Sequence, residues 1–599
     1  MNRVIIGTAG HIDHGKTTII KELTGFEGDA TPEEKRRGIT IELSFSSMND
    51  GESEISFIDV PGHEKLVKTM IGGAFGFDYA LIVIDANEGA KEQTREHLLI
   101  LDSIKSIGVI AVLSKSDLAD EETMERRKSE TIELFGEYKN LSLLSILPFS
   151  VKKKEQKEEL KNYLFSLKSK PAQTNRLARL YIDRVFSVAG AGCVVTGTLL
   201  GGEMAAKEPL YIPQIQKSVK ARSIQTHNKT VERAAQGQRT AINLSDVSHN
   251  EIKKGMLLTK KGFMRGFKDI DVVIHKKPET NVKHLSELTA FFGTDAAVCR
   301  VFVISEDEER ITATLKFDKN MFLVYGEPFV LRNSSHTVGG GVAIGVVADP
   351  LKKSQREALL AALEKKELKK AFAALISAHK TGFGLICSEQ RFGIGYAEAL
   401  EIASGMDGVI VDEKDKVLYP QSSLDALALE LKKIYAKNSA ALLSPKSVKQ
   451  KLSWASEHLA QIAFAQLEAE GVITPNNGLY SLAENKNRDL RKELTDIVLA
   501  ALESSDFMPE APYNIYDELD IDRAFGDEIL KKLCSSQKAI RLAHNHFIGA
   551  KSLQAVLQEI RALIQKDGFA TVASVKEALG ISRKYAINYL EYLDRWDDI

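Results

Sequence analysis

Gly10-His11-Ile12-Asp13-His14-Gly15-Lys16-Thr17 places two glycines, a lysine and a hydroxyl at the spacing G-x-x-x-x-G-K-[ST]. Two glycines let the backbone curl so that successive N–H groups point at phosphate oxygens. An apolar strand, Val4 to Ile6, runs into this loop, and Thr18 to Leu23 reads as the helix that leaves it. The helix N-terminus adds its positive end. Gly10, Asp13, His14, Gly15, Lys16, Thr17 and Thr18 are therefore candidate nucleotide contacts, with Lys16 reaching the β- and γ-phosphates and Thr17 offering its hydroxyl to Mg²⁺.

Further polar stretches follow. Asp59 ends the apolar run from Ile55 and is placed to hold Mg²⁺. In Asp59-Val60-Pro61-Gly62-His63, Gly62 can give a backbone N–H to a γ-phosphate and His63 can orient an attacking water. Lys35-Arg36-Arg37-Gly38-Ile39-Thr40 is basic and then flexible, so Thr40 can join the Mg²⁺ shell and leave it when the γ-phosphate goes. Ser114-Lys115-Ser116-Asp117 ends another apolar run. A carboxylate there accepts from both N–H donors of guanine, which adenine lacks, while the Lys115 stem lies over the base. Ser150, Val151 and Lys152 close the pocket after the last strand. The expected ligands are GTP or GDP with Mg²⁺.

The elements that must hold these residues follow from the apolar runs. Ile55–Val60, Tyr79–Asp85, Val109–Ser114 and Leu144–Ser150 alternate with helical periods, the pattern of an α/β parallel sheet with ligands at its strand ends. From 172 the helical periods give way to short strands with frequent glycine, among them Arg179–Ser187, Gly192–Leu200, Pro209–Ile212, Val219–Thr226 and Arg239–Leu244, with a similar set over 267–347. Two antiparallel β-barrels are predicted. From Leu351 the chain turns helical, with hairpin signals at Val409–Tyr419, Val472–Leu482 and Ile540–Ile548. Helices followed by a hairpin, repeated, predict tandem winged helices. A fourth unit shows Val572–Leu579, a turn at Gly580-Ile581-Ser582 and then Arg583–Arg595. Ser582 is the expected N-cap, which puts Arg583 and Lys584 at the exposed start of a recognition helix. No fourth hairpin follows before the sequence closes on Trp596-Asp597-Asp598-Ile599, so the fourth unit is expected to lack its wing, through a naturally short chain or through a truncation or frameshift. The expected division is 1–171, 172–262, 263–350, 351–422, 423–484, 485–549 and 550–599.

At 599 residues the chain exceeds a single core. The net charge of −2 gives no global basic field, so any nucleic-acid contact is local. Cys193, Cys299, Cys387 and Cys534 lie far apart without a C-x-x-C, which argues for a reducing compartment and against a metal cluster or disulfide framework. No apolar run is long enough for a membrane span, and a cytoplasmic monomer is expected.

GHIDHGKT, RGIT, DVPGH and a [N/S/T]-K-x-D stretch in this order resemble a translational GTPase of the elongation factor Tu kind. Ser114 departs from the usual Asn. A small hydroxyl residue there, with DVPGHEKLVKTMIGG and QTREHL, is similar to the selenocysteine-specific elongation factors. The resemblance implies that Thr17 and Thr40 bind Mg²⁺, that Asp117 reads guanine and that His63 aligns water once the ribosome positions it. It also implies that losing the Asn weakens the base and loop contacts. The cargo it implies is selenocysteinyl-tRNA, whose selenol is more acidic than a thiol and carries negative charge at neutral pH. Guanidinium groups suit such a cargo. Arg184 and Arg239 stand at the positions the family uses, and Phe45 stands where its pocket has a Tyr. The competing reading is that either arginine pairs with a rim carboxylate.

The bacterial members carry four winged helices whose last modules grip an mRNA hairpin, so Arg583 and Lys584 are the candidate RNA contacts, with the ribosome as the third partner. The alternatives are a general or initiation-type translational GTPase, or a GTP-gated regulator binding RNA or DNA.

Overall fold

The computed structural model describes residues 2–25, 43–60, 67–104, 107–169, 176–188, 192–226, 229–276, 280–503 and 507–595. The chain divides into two compact units, Met1–Leu375 with Leu385–Ile402, and Ile376–Gly384 with Ala403–Ile599.

The first unit begins with a six-stranded sheet. Its elements are β1 (Asn2–Gly10), α1 (Lys16–Thr24), β2 (Ser44–Asn49), β3 (Ser53–Asp59), α2 (Val67–Ala74), β4 (Tyr79–Asp85), α3 (Glu92–Ile104), β5 (Ile107–Ser114), α4 (Glu121–Gly136), β6 (Leu141–Phe149) and α5 (Lys154–Ser166). The order is β2-β3-β1-β4-β5-β6, and β3, β1, β4, β5 and β6 run parallel. The central strands are apolar on both faces because helices cover both, so Ala80 to Ile84 are fully buried. The edge strand β2 reads Ser44-Phe45-Ser46-Ser47-Met48-Asn49 and pairs antiparallel with β3, so the predicted parallel sheet is a mixed one. Its side chains are mostly polar because only one neighbour and little helix cover it.

Both predicted barrels form. In the first, a six-strand ring runs Pro209–Ile212, Leu257–Thr259, Arg179–Tyr181, Gly192–Leu200, Arg239–Ser245 and Lys217–Thr226, and it closes because Pro209–Ile212 also pairs with Lys217–Thr226. The second is a closed barrel of Phe267–His275, Arg310–Met321, Asp295–Glu306, Glu287–Phe292, Pro328–Arg332 and Thr337–Gly345. The expected single strand Arg179–Ser187 is two strands. Arg179–Tyr181 stays in the ring, while Arg184–Val188 folds back along Gly192–Leu200. The break falls at Asp183, whose N–H donates to the Thr196 carbonyl and whose carboxylate is tied to Arg239. The helices Lys353–Glu364, Ser388–Phe392 and Tyr396–Ser404 complete this unit. Arg356 pairs there with Asp271, and Arg391 with Asp349.

The second unit repeats helices and a hairpin. Strands Val409–Asp412 and Val417–Pro420 pair, as do Ile473–Asn476 with Leu479–Leu482 and Ala539–Ala543 with His546–Gly549. The three hairpins thus fall where the turn residues put them. Between them lie the helices Gln421–Lys437, Pro445–Lys451, Glu457–Ala469, Leu490–Leu502, Pro512–Glu518 and Arg523–Ser535. Ala550–Asp567, Val572–Leu579 and Arg583–Leu593 end the described chain, packing Val556, Ile560, Val575, Ala586 and Tyr589 against Leu542 and Ile548 of the third hairpin. Among the described residues no helix is long and apolar enough to cross a membrane.

Candidate functional site

The loop between β1 and α1 has the backbone its glycines allow. Gly10 sits at φ 131°, Asp13 at 63° and Gly15 at 89°. A methyl on Gly10 would lie 2.3 Å from the Val83 carbonyl oxygen, so the loop's root rests directly on β4. Lys16 is 7 % exposed, and its ammonium donates to the Gly10 and His11 carbonyls at 3.1 and 2.8 Å. Burial holds Lys16 down to about 8. Asp13 and Thr18 are exposed beside it. His14 turns its imidazole inward: it is buried, accepts the Asp85 N–H at 3.3 Å, and is held down to about 4 by that burial. What His14 can offer a phosphate is therefore its backbone.

Thr17 Oγ1 donates to Asp59 Oδ2 at 2.8 Å, which joins the first turn of α1 to the end of β3. Thr8 donates to the other oxygen of Asp59 and receives the Val60 N–H at 3.2 Å. A hydroxyl and a locked carboxylate side by side are hard oxygen donors of the kind Mg²⁺ takes, so these residues fit that ion. Thr40, Gly62 and His63 lie outside the described residues.

The base side is assembled at the ends of β5 and β6. Asp117 accepts from Ser150 Oγ at 2.7 Å and pairs with Lys152 Nζ at 2.8 Å. The Lys152 and Ser150 hydrogen bonds hold its carboxyl down to about 2. Lys152 N–H returns to Ser150 Oγ at 3.1 Å, and Val151 between them is exposed. Lys115 sits at φ 54° with its ammonium 2.8 Å from Asp85. Ser114 Oγ donates to the His14 carbonyl at 2.7 Å. At this position a hydroxyl thus makes a contact to the phosphate loop.

Phe45, Arg184 and Arg239 meet where β2 faces the first barrel. The Arg239 guanidinium carbon lies 3.7 Å from the Phe45 ring centre and that of Arg184 5.3 Å. The carboxylate pairing is realised for Arg239. Arg239 makes a two-pronged pair with Asp183 and reaches Thr196 Oγ1 at 3.1 Å, while Arg184 donates to the Leu43 carbonyl at 2.5 Å. Arg239's charge is matched by Asp183, which the sequence reading did not single out. A cleft of about 450 Å³ opens beside them, lined by Phe45, Ser46, Ser47, Gln225 and Arg239.

In the second unit Arg583 and Lys584 are exposed at the start of the last helix. Ser582 stands at the N-cap, but its side chain makes no cap bond, contrary to expectation. Behind them His546 is buried against Tyr585 and Tyr589, with its Nδ1 2.6 Å from Asn588 Nδ2. Burial first, then the nearby Lys584 charge, hold His546 down to about 4. The unfolded chain, with an ordinary histidine near 6.5, therefore binds more protons between pH 6.5 and 4. Stability of this segment should fall as pH drops through that window, by up to about 3 kcal/mol. Hydrogen exchange of 550–593 in the full chain measures it, and His546→Gln should flatten the profile.

A six-stranded α/β sheet with this loop, followed by two barrels, defines a translational GTPase. Residues 1–170 match the elongation factor Tu GTP binding domain, and 562–599 match the winged helix of elongation factor SelB. The selenocysteine-specific elongation factor of Desulfomicrobium baculatum is 29 % identical over 99 % of this chain and 97 % of its own. That of Escherichia coli K12 is 26 % identical over 99 % of this chain and 96 % of its own. The crystal structure of the bacterial selenocysteine-specific elongation factor EF-Sec superposes with a TM-score of 0.69 at 25 % identity, over 99 % of this chain and 97 % of that one. Along its whole length the chain is similar to the selenocysteine-specific elongation factors.

Proposed function

We propose that the protein, in its GTP state, carries selenocysteinyl-tRNA to ribosomes decoding UGA codons marked by an mRNA hairpin, and hydrolyses GTP there. The observation that carries this reading is the meeting of Phe45, Arg184 and Arg239 across the seam between β2 and the first barrel, beside an open cleft. Arg184 and Arg239 supply donors for a selenolate, and the Asp183 partner fixes Arg239 against the ring. Thr17 and Asp59, with Thr40, would hold Mg²⁺, whose charge offsets the charge that builds on the phosphates. Lys16 adds its own charge at the same oxygens. Asp117 reads guanine, with Ser114, Lys115, Ser150, Val151 and Lys152 around it. Gly62 senses the γ-phosphate and His63 aligns the water. Loss of that phosphate frees Thr40 and rearranges the domains.

Arg583 and Lys584 clamp RNA phosphates at the hairpin, and the boundaries 1–171, 172–262, 263–350, 351–422, 423–484, 485–549 and 550–599 divide the labour. The protein works in the cytoplasm as a monomer. GTP turnover on ribosomes programmed with a UGA codon and the hairpin tests this reading. Turnover should rise with the programmed ribosome and vanish in His63→Ala while GTP binding persists. Equal turnover on ribosomes carrying an ordinary sense codon without the hairpin would contradict it.

A further inference from the structure

Helix α3 holds two parts of the first unit at once. Gln93 Oε1 accepts the Ile12 N–H at 3.1 Å, and His97 Nδ1 accepts the Gly10 N–H at 3.0 Å. The two side chains are one helical turn apart and share a face. Their donors belong to the start of the phosphate loop, before the residues expected to wrap the phosphates. Glu96 serves the second barrel. It pairs with Arg332 and accepts from Thr337 Oγ1 at 3.2 Å, and Arg332 also donates to Thr337 at 3.0 Å. Arg332 is 7 % exposed, so this tie is shielded from water. Packing continues along the helix. A methyl on Gly340 would lie 2.6 Å from Ser103 Cβ, and Phe291 and Val330 of the barrel share a core with Leu98 and Leu101.

His97 is a polar ring where an apolar side chain would fill the space. It is fully buried, and among the described residues its Nε2 has no hydrogen-bond partner. A neutral imidazole that accepts at Nδ1 carries its proton on Nε2, so the ring leaves one donor unmatched in order to satisfy Gly10. Among the described residues the Gly10 bond is the polar contact that accounts for a histidine at this position.

We propose that α3 is a strut that sets the phosphate loop from the second barrel, with His97 and Gln93 as positioning residues for the nucleotide and Glu96–Arg332 as the tie to the barrel. This deepens the GTPase reading and rests on nucleotide binding at Gly10–Thr17.

The test measures affinities of the full-length protein for GDP and for a non-hydrolysable GTP analogue. His97→Leu leaves the Gly10 N–H unpaired and should weaken both by about tenfold. His97→Asn offers an amide oxygen near the place of Nδ1 and should restore both to within about threefold of wild type. Arg332→Met, made in the barrel, should change the ratio of the two affinities by about threefold or more, and in a His97→Leu background that change should shrink. Wild-type affinities in His97→Leu would overturn the proposal. So would His97→Asn as weak as His97→Leu with an unaltered melting curve, or an unchanged ratio in Arg332→Met. A wild-type protein that binds neither nucleotide would overturn the GTPase reading itself, and this inference with it.

Discussion

Asp117→Ala will lower the affinity for GDP and GTP by on the order of a thousandfold and erase most of the preference for guanine over adenine. Two hydrogen bonds from a base edge to a carboxylate are each worth about 1.5–3 kcal/mol, and an adenine ring offers neither. The carboxylate is set for that role: the Ser150 hydroxyl and the Lys152 ammonium hold it ionised, so it is an acceptor at every physiological pH. Those two partners also fix its direction, so the base meets an acceptor that needs little reordering. Removing Asp117 strands the Lys152 charge beside the base as well. Competition titrations with guanine and adenine nucleotides measure both effects. Unchanged discrimination would place guanine recognition elsewhere.

Lys16→Met will reduce nucleotide affinity by on the order of a hundredfold or more while leaving the fold in place. Methionine keeps most of the stem in its buried channel but loses the charge and three donors. In the structure those donors go to the Gly10 and His11 carbonyls. Phosphate oxygens replace these neutral acceptors with charged ones, and charge-assisted bonds are roughly twice as strong. The buried ammonium is disfavoured without an anion, as the depression to about 8 records, so part of the binding energy comes from relieving that burial. Calorimetric titration with GDP measures the change, and the thermal transition without nucleotide should rise or stay level.

The P-loop, the strand ends and the three hairpins were legible because each is local. Gly10 and Gly15, the apolar run Tyr79–Asp85 and the turn at Asn477-Gly478 carry their own conformational signal. The Phe45–Arg184–Arg239 corner was legible only through resemblance, since residues 45 and 239 are joined by tertiary packing alone. Asp183 escaped notice because nothing in the sequence says that a strand breaks there and turns its carboxylate toward Arg239. Thr8 and Asp85 were hidden inside apolar strands, and their partners Asp59 and Lys115 become visible only once β1, β3, β4 and β5 are in register. Gln93 and His97 did carry a signal. Two polar residues four apart on one helix share a face and can meet a common partner, but the sequence does not say that this partner is the phosphate loop.

Protection of the aminoacyl ester tests the central claim most directly. Selenocysteinyl-tRNA and seryl-tRNA on the same tRNA are left to hydrolyse with the protein and either a non-hydrolysable GTP analogue or GDP. The account predicts strong protection of the selenocysteinyl ester in the GTP-analogue state alone, with the seryl ester left exposed, and loss of that difference in Arg184→Ala. Equal protection of both esters, or protection that ignores the nucleotide, would contradict it.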